Sequence, residues 1–120
     1  MKRQGFPRQI RIKKESEFNS IIQGARKASG RDLILYRLVG DERSGQRLGI
    51  RVARGIKPAV RRNAVKRTVR EVLRKNRHRF DENEAVVVVC KHTSGEQEPS
   101  QLREELERLI SRTSQEDVGL

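Results

Sequence analysis

Residues 61–76, RRNAVKRTVREVLRKN, carry an apolar stripe beside a dense run of positive charge. At about 100° per residue, four apolar side chains gather on one arc of a helix, which predicts that this arc packs against a sheet. These four residues are Val65, Val69, Val72 and Leu73. Seven of the sixteen residues are Lys or Arg, and only Glu71 opposes them. Because like charges four residues apart destabilise a helix by roughly 0.2–0.5 kcal/mol per pair, the segment favours contact with an anion.

The charge of the whole chain is divided unevenly. The 120 residues have a net charge of +12, but residues 1–80 hold +18 and residues 81–120 hold −6. A basic body with a mildly acidic end indicates that one surface meets a polyanion. Nucleic acid fits this best, and an acidic membrane surface is the second candidate. No apolar run approaches the roughly 20 residues that a membrane span needs, and none follows the basic N-terminus, so we expect neither a membrane anchor nor a secretory signal.

Length and composition favour one compact domain in a reducing compartment. We expect residues 1–11 to form a basic, flexible arm, residues 12–113 a single α+β domain, and residues 114–120 a C-terminal tail. Cys90 is the only cysteine, which excludes an internal disulfide and fits the cytoplasm. Because it ends an apolar run, we interpret Cys90 as an inert core thiol.

The apolar pattern predicts the order helix, strand, strand, helix, strand, helix. A first helix spans residues 15–25, and a last helix opens near residue 99. Strands are predicted at residues 33–39 and 47–54, expected to pair as an antiparallel hairpin, and at 85–90, where a β-branched run is typical of a central strand. The second strand alternates, with an apolar face and an open basic face that holds Arg47, Gly49 and Arg51. The apolar faces of the outer helices contain Phe18, Ile21, Ile22 and Ala25, and Leu102, Leu106, Leu109 and Ile110.

The basic helix has a spacing that resembles a known signature. Arg62-Asn63-x-x-Lys66-Arg67-x-x-Arg70-Glu71 is similar to the signature helix of the bacterial ribonuclease P protein subunit. The valine-rich strand and the leucine-spaced last helix follow in the order of that family, and the resemblance runs from about residue 6 to residue 112. Its other parts are Arg11-Ile12-Lys13-Lys14 with Phe18 and Ile22 (first helix), Leu35-Tyr36 (first strand) and Arg47-Leu48-Gly49-Ile50-Arg51-Val52 (the strand before the signature helix).

The resemblance implies a fold and a function. The fold would be α+β, with a small mixed four-stranded sheet, three helices and a left-handed βαβ crossover, so a fourth strand is expected in residues 26–32 or 53–57. The function would be that of the RNA-binding, chemically noncatalytic subunit of an endoribonuclease that removes the 5′ leader from precursor tRNA. The implied partners are the catalytic ribonuclease P RNA and precursor tRNA, without DNA or membrane. Mg²⁺ held mainly by the RNA would perform the hydrolysis, and the protein would broaden substrate use and lower the Mg²⁺ requirement.

The resemblance also assigns two sets of site residues. The RNA-binding set contains Arg51, Arg54, Arg62, Asn63, Lys66, Arg67, Arg70 and Arg74. The leader cleft, between the first helix and the sheet, contains Phe18, Ile22, Leu33 and Tyr36. Since a single strand is usually held by positive charge and by aromatic surfaces on which bases stack, Phe18 and Tyr36 are the stacking candidates. No residue receives a catalytic or metal-binding role.

The chain departs from the family pattern at four places. Ile22 and Leu33 stand where aromatic residues are common, Ala64 stands where the signature is often basic, and Arg54-Gly55 stands for a frequent Lys-Lys. Aliphatic side chains can line a cleft but stack less broadly than aromatic rings. We therefore expect leader affinity to depend more on charge in this chain.

Three other functions remain open from the sequence. A structural RNA-binding protein of ribosomal type would share the basic helix but would not depend on Phe18 or Tyr36 for single-strand binding. A DNA-binding regulator would use residues 59–76 as a recognition helix, although no partner helix joined by a short turn is evident. An autonomous nuclease would need clustered carboxylates to hold metal, which the sequence does not suggest. His78 and His92 have no partner at ligand spacing, so a zinc site is not expected.

Overall fold

The computed structural model describes residues 10–40 and 45–118, with side chains described as far as Ser114. Within these ranges the chain forms three α-helices and four strands, together with short 3₁₀ helices at Arg77–Arg79 and His92–Glu96. In chain order the elements are α1 (Glu15–Gly24), β1 (Arg26–Ser29), β2 (Leu33–Val39), β3 (Arg47–Val52), α2 (Ala59–Lys75), β4 (Glu84–Cys90) and α3 (Pro99–Val118). The expected α+β class is confirmed.

The four strands form one mixed sheet in the order β1-β2-β4-β3. β1 pairs antiparallel with β2 and β2 with β4, whereas β3 and β4 pair parallel. The predicted hairpin between residues 33–39 and 47–54 is therefore wrong, because β4 lies between these two strands. Parallel neighbours need a crossover connection, and α2 provides it between β3 and β4. The left-handed sense of that crossover stays a prediction from the resemblance.

The fourth strand that the resemblance requires is β1, in the first of the two expected places. Because β1 comes before β2, Leu35 and Tyr36 lie on the second strand of the sheet rather than on the first. β4 is a central strand as predicted, with Val86, Val87 and Val88 fully buried. It is buried because helices cover both faces of the sheet at this strand.

Apolar side chains from the helices cover the two faces unequally. On one face α2 and α3 join Leu35, Leu48 and Val88 in the larger core cluster. The four apolar residues predicted for each of these two helices are all buried, which confirms both helical patterns. On the other face the shorter α1 places Phe18 and Ile21 against Val87.

The basic face predicted to be open on β3 is instead covered by the first half of α1. Gly49 is buried, and a Cβ atom added there would lie 2.8 Å from Cε1 of Phe18. Arg47 donates to Glu17 with 3.0 Å between Nη2 and Oε1, and Arg51 forms an ion pair with Glu15. Alternate positions of β3 therefore contact α2 on one face and α1 on the other.

Two buried carboxylates hold elements that are distant in the sequence together. Glu84 accepts two hydrogen bonds from the Arg37 guanidinium, at 2.6 and 3.0 Å. Glu105 of α3 accepts the backbone N–H groups of Asp32 and Leu33, both at 2.9 Å. Buried carboxylates are stable only with such partners, so Glu84 ties β4 to β2 and Glu105 fixes α3 against the start of β2.

The predicted domain limits at residues 11 and 113 can be compared with the ordered elements near each end of the chain. Most of the predicted arm, residues 1–9, lies outside the described residues. Ile12 is already buried, and Arg11 forms a bridge with Leu48 of β3. At the other end α3 continues to Val118, so the predicted limit at residue 113 does not coincide with the end of the helix.

Candidate RNA-binding surface

The cations of α2 divide into a free set and a paired set. The four that form no hydrogen bond or ion pair with any described residue are Arg62, Lys66, Arg67 and Arg70. Arg74 donates to Glu71 with 2.5 Å between Nη2 and Oε2, and Lys75 Nζ lies 3.8 Å from the same oxygen. The hydrogen bond from Arg74 lowers the pKa of the Glu71 carboxyl, and the same bond raises the pKa of Arg74. The charge available to an anion therefore concentrates in the first three turns of α2.

A groove of about 350 Å³ lies where β3, α2 and the segment before α1 meet. We call it the edge groove. Its floor is apolar, from β3, Ile12 and Phe18, and no acidic residue lines it. Its four cations are Arg11, Lys13, Lys66 and Arg70, and none of their side chains is paired within the described part of the chain. Four uncompensated positive charges beside an apolar floor suit the phosphates and bases of a nucleic acid strand.

Tertiary packing brings these four cations together from two distant segments. β3 is an edge strand, with α2 on one of its faces and α1 on the other. Beside it, the N–H of Ile12 donates to the carbonyl of Leu48 at 2.9 Å. This bond holds Arg11 and Lys13 at the same edge as Lys66 and Arg70.

The face of the sheet on which α1 packs is only partly covered. Tyr36 and Val89 pack against the same apolar cluster as Ile22 of α1, and Ile34 lies beside Val89 in the strand register. All four side chains are half-buried. We call Ile22, Ile34, Tyr36 and Val89 the apolar cleft. It lies between the first helix and the sheet, where the resemblance implies the leader cleft.

Phe18 is buried, with 8% of its surface exposed. Its ring packs on Val87, and the Arg51 guanidinium lies 5.2 Å from the ring centroid. A cation already covers part of this aromatic surface, so Phe18 serves mainly as packing and contributes to the wall of the edge groove. Tyr36 is the more accessible of the two predicted stacking residues.

Leu33 does not belong to the apolar cleft. It is fully buried and packs in the core cluster between the sheet and α2 and α3. Successive strand residues point to opposite faces, so Leu33 and Tyr36, three positions apart on β2, cannot share one. The same alternation, applied to the sequence, identifies Ile34 as the neighbour of Tyr36.

The other predicted RNA-binding residues occupy three kinds of environment. Asn63 of α2 and Arg54, in the turn after β3, are exposed. Arg51 is held by Glu15 and by Asn19, whose Oδ1 lies 3.4 Å from Nη2. Arg74 is held by Glu71, as described above. Arg51 and Arg74 therefore have to exchange a carboxylate for a phosphate in order to contact RNA.

Sequence reasoning did not include Arg11, Lys13, Ile34 or Val89 in the site. The alternation of β2 was a usable signal for Ile34. For Arg11 and Lys13 there was no local signal, because only their pairing with the edge of β3 places them beside α2.

Cys90 is buried, and burial raises the pKa of its thiol to about 12, so the thiol is protonated and unreactive at neutral pH. Across residues 10–40 and 45–118, no group of three or more His, Cys, Asp or Glu side chains could hold a metal ion. None of the described helices is both long and apolar enough to cross a membrane.

A small α+β domain with a free cationic helix face at one sheet edge and an apolar cleft on one sheet face belongs to the class of RNA-binding proteins. The chain belongs to the ribonuclease P protein family. The family model described as Ribonuclease P matches residues 6–114.

Relatives and solved structures agree with this membership. The ribonuclease P protein component of Macrococcus caseolyticus is 31% identical over 100 residues, covering 83% of this chain and 86% of that protein. The Bacillus cereus component is 26% identical over 108 residues, covering 90% and 94%. The RNase P protein structure from Staphylococcus aureus has a TM-score of 0.77 at 25% identity, over 87% of this chain and 94% of that one. The Thermotoga maritima structure has a TM-score of 0.70 at 26% identity, over 85% and 96%.

Proposed function

We propose that this chain binds the catalytic RNA of ribonuclease P and the single-stranded 5′ leader of precursor tRNA, and thereby promotes removal of the leader. The observation that carries the proposal is the edge groove, where four unpaired cations from two segments surround an apolar floor. On the sheet face beside α1, the half-buried Tyr36 and its aliphatic neighbours provide a second, apolar surface. Positive charge next to an apolar and aromatic floor is the arrangement that holds single-stranded RNA.

The two parts of the surface act on different parts of the RNA. Lys66 and Arg70 neutralise phosphates at the sheet edge, which reduces the repulsion between leader, tRNA and catalytic RNA. Tyr36 offers a ring on which a base can stack, and Ile22, Ile34 and Val89 exclude water around it. Binding of the leader favours precursor over mature tRNA, because mature tRNA lacks the segment that fills the cleft.

The hydrolysis itself belongs to the RNA subunit in this proposal. In this proposal the RNA and the substrate would hold most of the Mg²⁺, which would supply the chemistry of hydrolysis. The protein's cations replace part of the counterion charge that close packing of RNA needs, so less Mg²⁺ is required. The proposed place of action is the cytoplasm, with neither DNA nor a membrane as partner.

The deciding experiment measures 5′-leader cleavage of a precursor tRNA by a bacterial ribonuclease P RNA at low Mg²⁺, with and without this protein. We expect stimulation by the native protein and none after heat denaturation. The double variant Lys66→Ala/Arg70→Ala should lose most of the stimulation. A matched control is Arg103→Ala/Arg108→Ala, which removes the same charge from exposed positions of α3, and it should behave like the wild type.

Two results would contradict parts of this proposal. Tight RNA binding without any stimulation of cleavage would favour a structural RNA-binding protein of ribosomal type. Equal stimulation by the two double variants would show that bulk charge acts rather than the edge groove.

A further inference from the structure

Lys27 is a cation at the edge of the sheet opposite the edge groove. It lies on β1, the edge strand opposite β3, and its side chain is exposed. Among the described residues it has neither a hydrogen-bonding partner nor an ion-pair partner for its ammonium group. In the strand register it stands directly opposite Tyr36, so the two side chains lie on the same face of the sheet.

The register continues this alignment across all four strands. Lys27 is opposite Tyr36, Tyr36 is opposite Val87, and Val87 is opposite Gly49, on which Phe18 packs. The row crosses three inter-strand spacings, about 14 Å in total. α1 covers the Gly49 and Val87 end of this row. The accessible part runs from Tyr36 of the apolar cleft to the free cation at the β1 edge.

We propose that the leader runs beside α1 through the apolar cleft to the β1 edge of the sheet and that Lys27 binds a leader phosphate at this edge. This inference rests on the proposed function, since it takes the RNA to be the precursor tRNA leader. Nucleotides next to the cleavage point lie at the edge groove with Lys66 and Arg70, the following bases lie over Tyr36, and a phosphate farther from the cleavage point reaches Lys27.

The charge around this row supports that direction. The acidic residues of α1, Glu15 and Glu17, pair with Arg51 and Arg47 on β3, and Asp32 is buried. Tyr36 and Lys27 are direct neighbours in the strand register, so a strand that passes Tyr36 toward the β1 edge reaches a positive charge next. A strand that ran along β2 instead would leave Lys27 without a role in binding.

A lysine on an edge strand also has a purely protective use, since its charge discourages pairing with other chains. That role predicts aggregation after removal of the charge, but no dependence of RNA affinity on leader length. The two roles can therefore be separated by measurement.

The experiment uses the complex of this protein with a ribonuclease P RNA and measures its affinity for two precursor tRNAs. One has a short leader of about two nucleotides, and the other has a long leader of about eight, a length within the range of single-strand site sizes. Lys27→Ala should weaken binding of the long-leader substrate by about three- to fivefold and leave the short-leader substrate unchanged. Lys27→Ala should also reduce the magnitude of the slope of log affinity against log salt by about 0.7, for the long leader only. Lys27→Arg should restore both values.

Arg108→Ala is the matched control, because it removes one exposed charge from α3 on the opposite face of the sheet. Equal affinities of Lys27→Ala and Arg108→Ala for the long leader would overturn the inference, as would a loss that is the same for both leaders. Lys66→Ala/Arg70→Ala tests the proposed function separately. If that variant loses affinity and Lys27→Ala does not, only the path to the β1 edge is wrong.

Discussion

Gly49 determines how closely α1 approaches the sheet. A Cβ atom at this position would lie 2.8 Å from Cε1 of Phe18 and 3.0 Å from Cβ of Ile12. Both neighbours are buried and belong to the cluster beneath α1, so neither can move away freely. The absence of a side chain thus sets the height of α1 above β3 and the shape of the edge groove.

Gly49→Ala should lower the free energy of unfolding by about 1–3 kcal/mol, because an added methyl group overpacks this contact. Urea denaturation measures the change. Gly24→Ala is the matched control: its added Cβ would meet only the Leu38 methyl groups, at 3.8 and 3.9 Å. It should change stability by about 1 kcal/mol or less. Equal effects of the two variants would refute the close-approach argument.

Leu33 and Tyr36 lie on opposite faces of β2 and should separate stability from binding. Leu33→Ala should cost about 2–5 kcal/mol of stability, because it leaves a cavity in the core, and the folded protein should keep its affinity for a long-leader precursor tRNA. Tyr36→Ala should weaken that affinity about fivefold or more through lost stacking, with a smaller effect on folding. Urea denaturation and binding titrations on the same samples test both. A Tyr36→Ala protein with unchanged leader affinity would argue for the structural RNA-binding alternative.

At the scale of the element, α2 consists of three parts with different contacts. Its apolar stripe closes the core, its first three turns present free cations, and Glu71 pairs with the two cations of its last turn. Glu71 is the only carboxylate of the helix, and its pKa is lowered by the hydrogen bond from Arg74. It therefore restrains two cations that could otherwise contact RNA.

Glu71→Gln should slightly lower the Tm near neutral pH and raise the affinity for the catalytic RNA, because Arg74 and Lys75 are released. A carboxyl whose pKa is lowered on folding stabilises the protein above its ordinary pKa, near 4.5, and this contribution disappears as the pH falls through the folded value. The Tm difference between wild type and variant should thus be present at about pH 7 and shrink as the pH falls below about 4.5. A difference that does not shrink in acid would assign the effect to something other than the ion pair.

At the scale of the whole molecule, unpaired positive charge is concentrated at one edge of the sheet. The chain carries +12 overall, and the four cations of the edge groove lie together with no acidic residue lining the groove, whereas exposed Glu104 and Glu107 on α3 lie among exposed arginines. Such a concentration of charge orients the protein on RNA and makes its binding depend on salt.

Binding of a single-stranded RNA oligonucleotide should show a slope of log affinity against log salt of about −3, since each of four phosphate contacts contributes about −0.7. Lys66→Ala/Arg70→Ala should reduce the magnitude of the slope by about 1.4. Fluorescence titrations at several salt concentrations measure it. A slope unchanged by this variant would mean that the edge groove does not neutralise the strand.

Local sequence patterns predicted much of this fold. The stripe of α2, the leucine spacing of α3 and the valine run of β4 were all confirmed, because periodic burial depends on a helix or strand meeting one surface. The signature helix predicted the family for the same reason, since its spacing lies within one element. The site assignments on α2 remain predictions, and Lys66 and Arg70 are the two that the structure places in the edge groove.

The sequence by itself determined the helices, three of the strands, the charge division and the family. Only the tertiary structure decided that β4 separates β2 from β3, that α1 covers the face of β3 expected to be open, and that Arg11 and Lys13 join Lys66 and Arg70. The physical reason is that periodicity reports which face of an element is buried, but not which element buries it. Strand order and the convergence of charges depend on contacts between residues far apart in the chain, and these form only when the whole core packs.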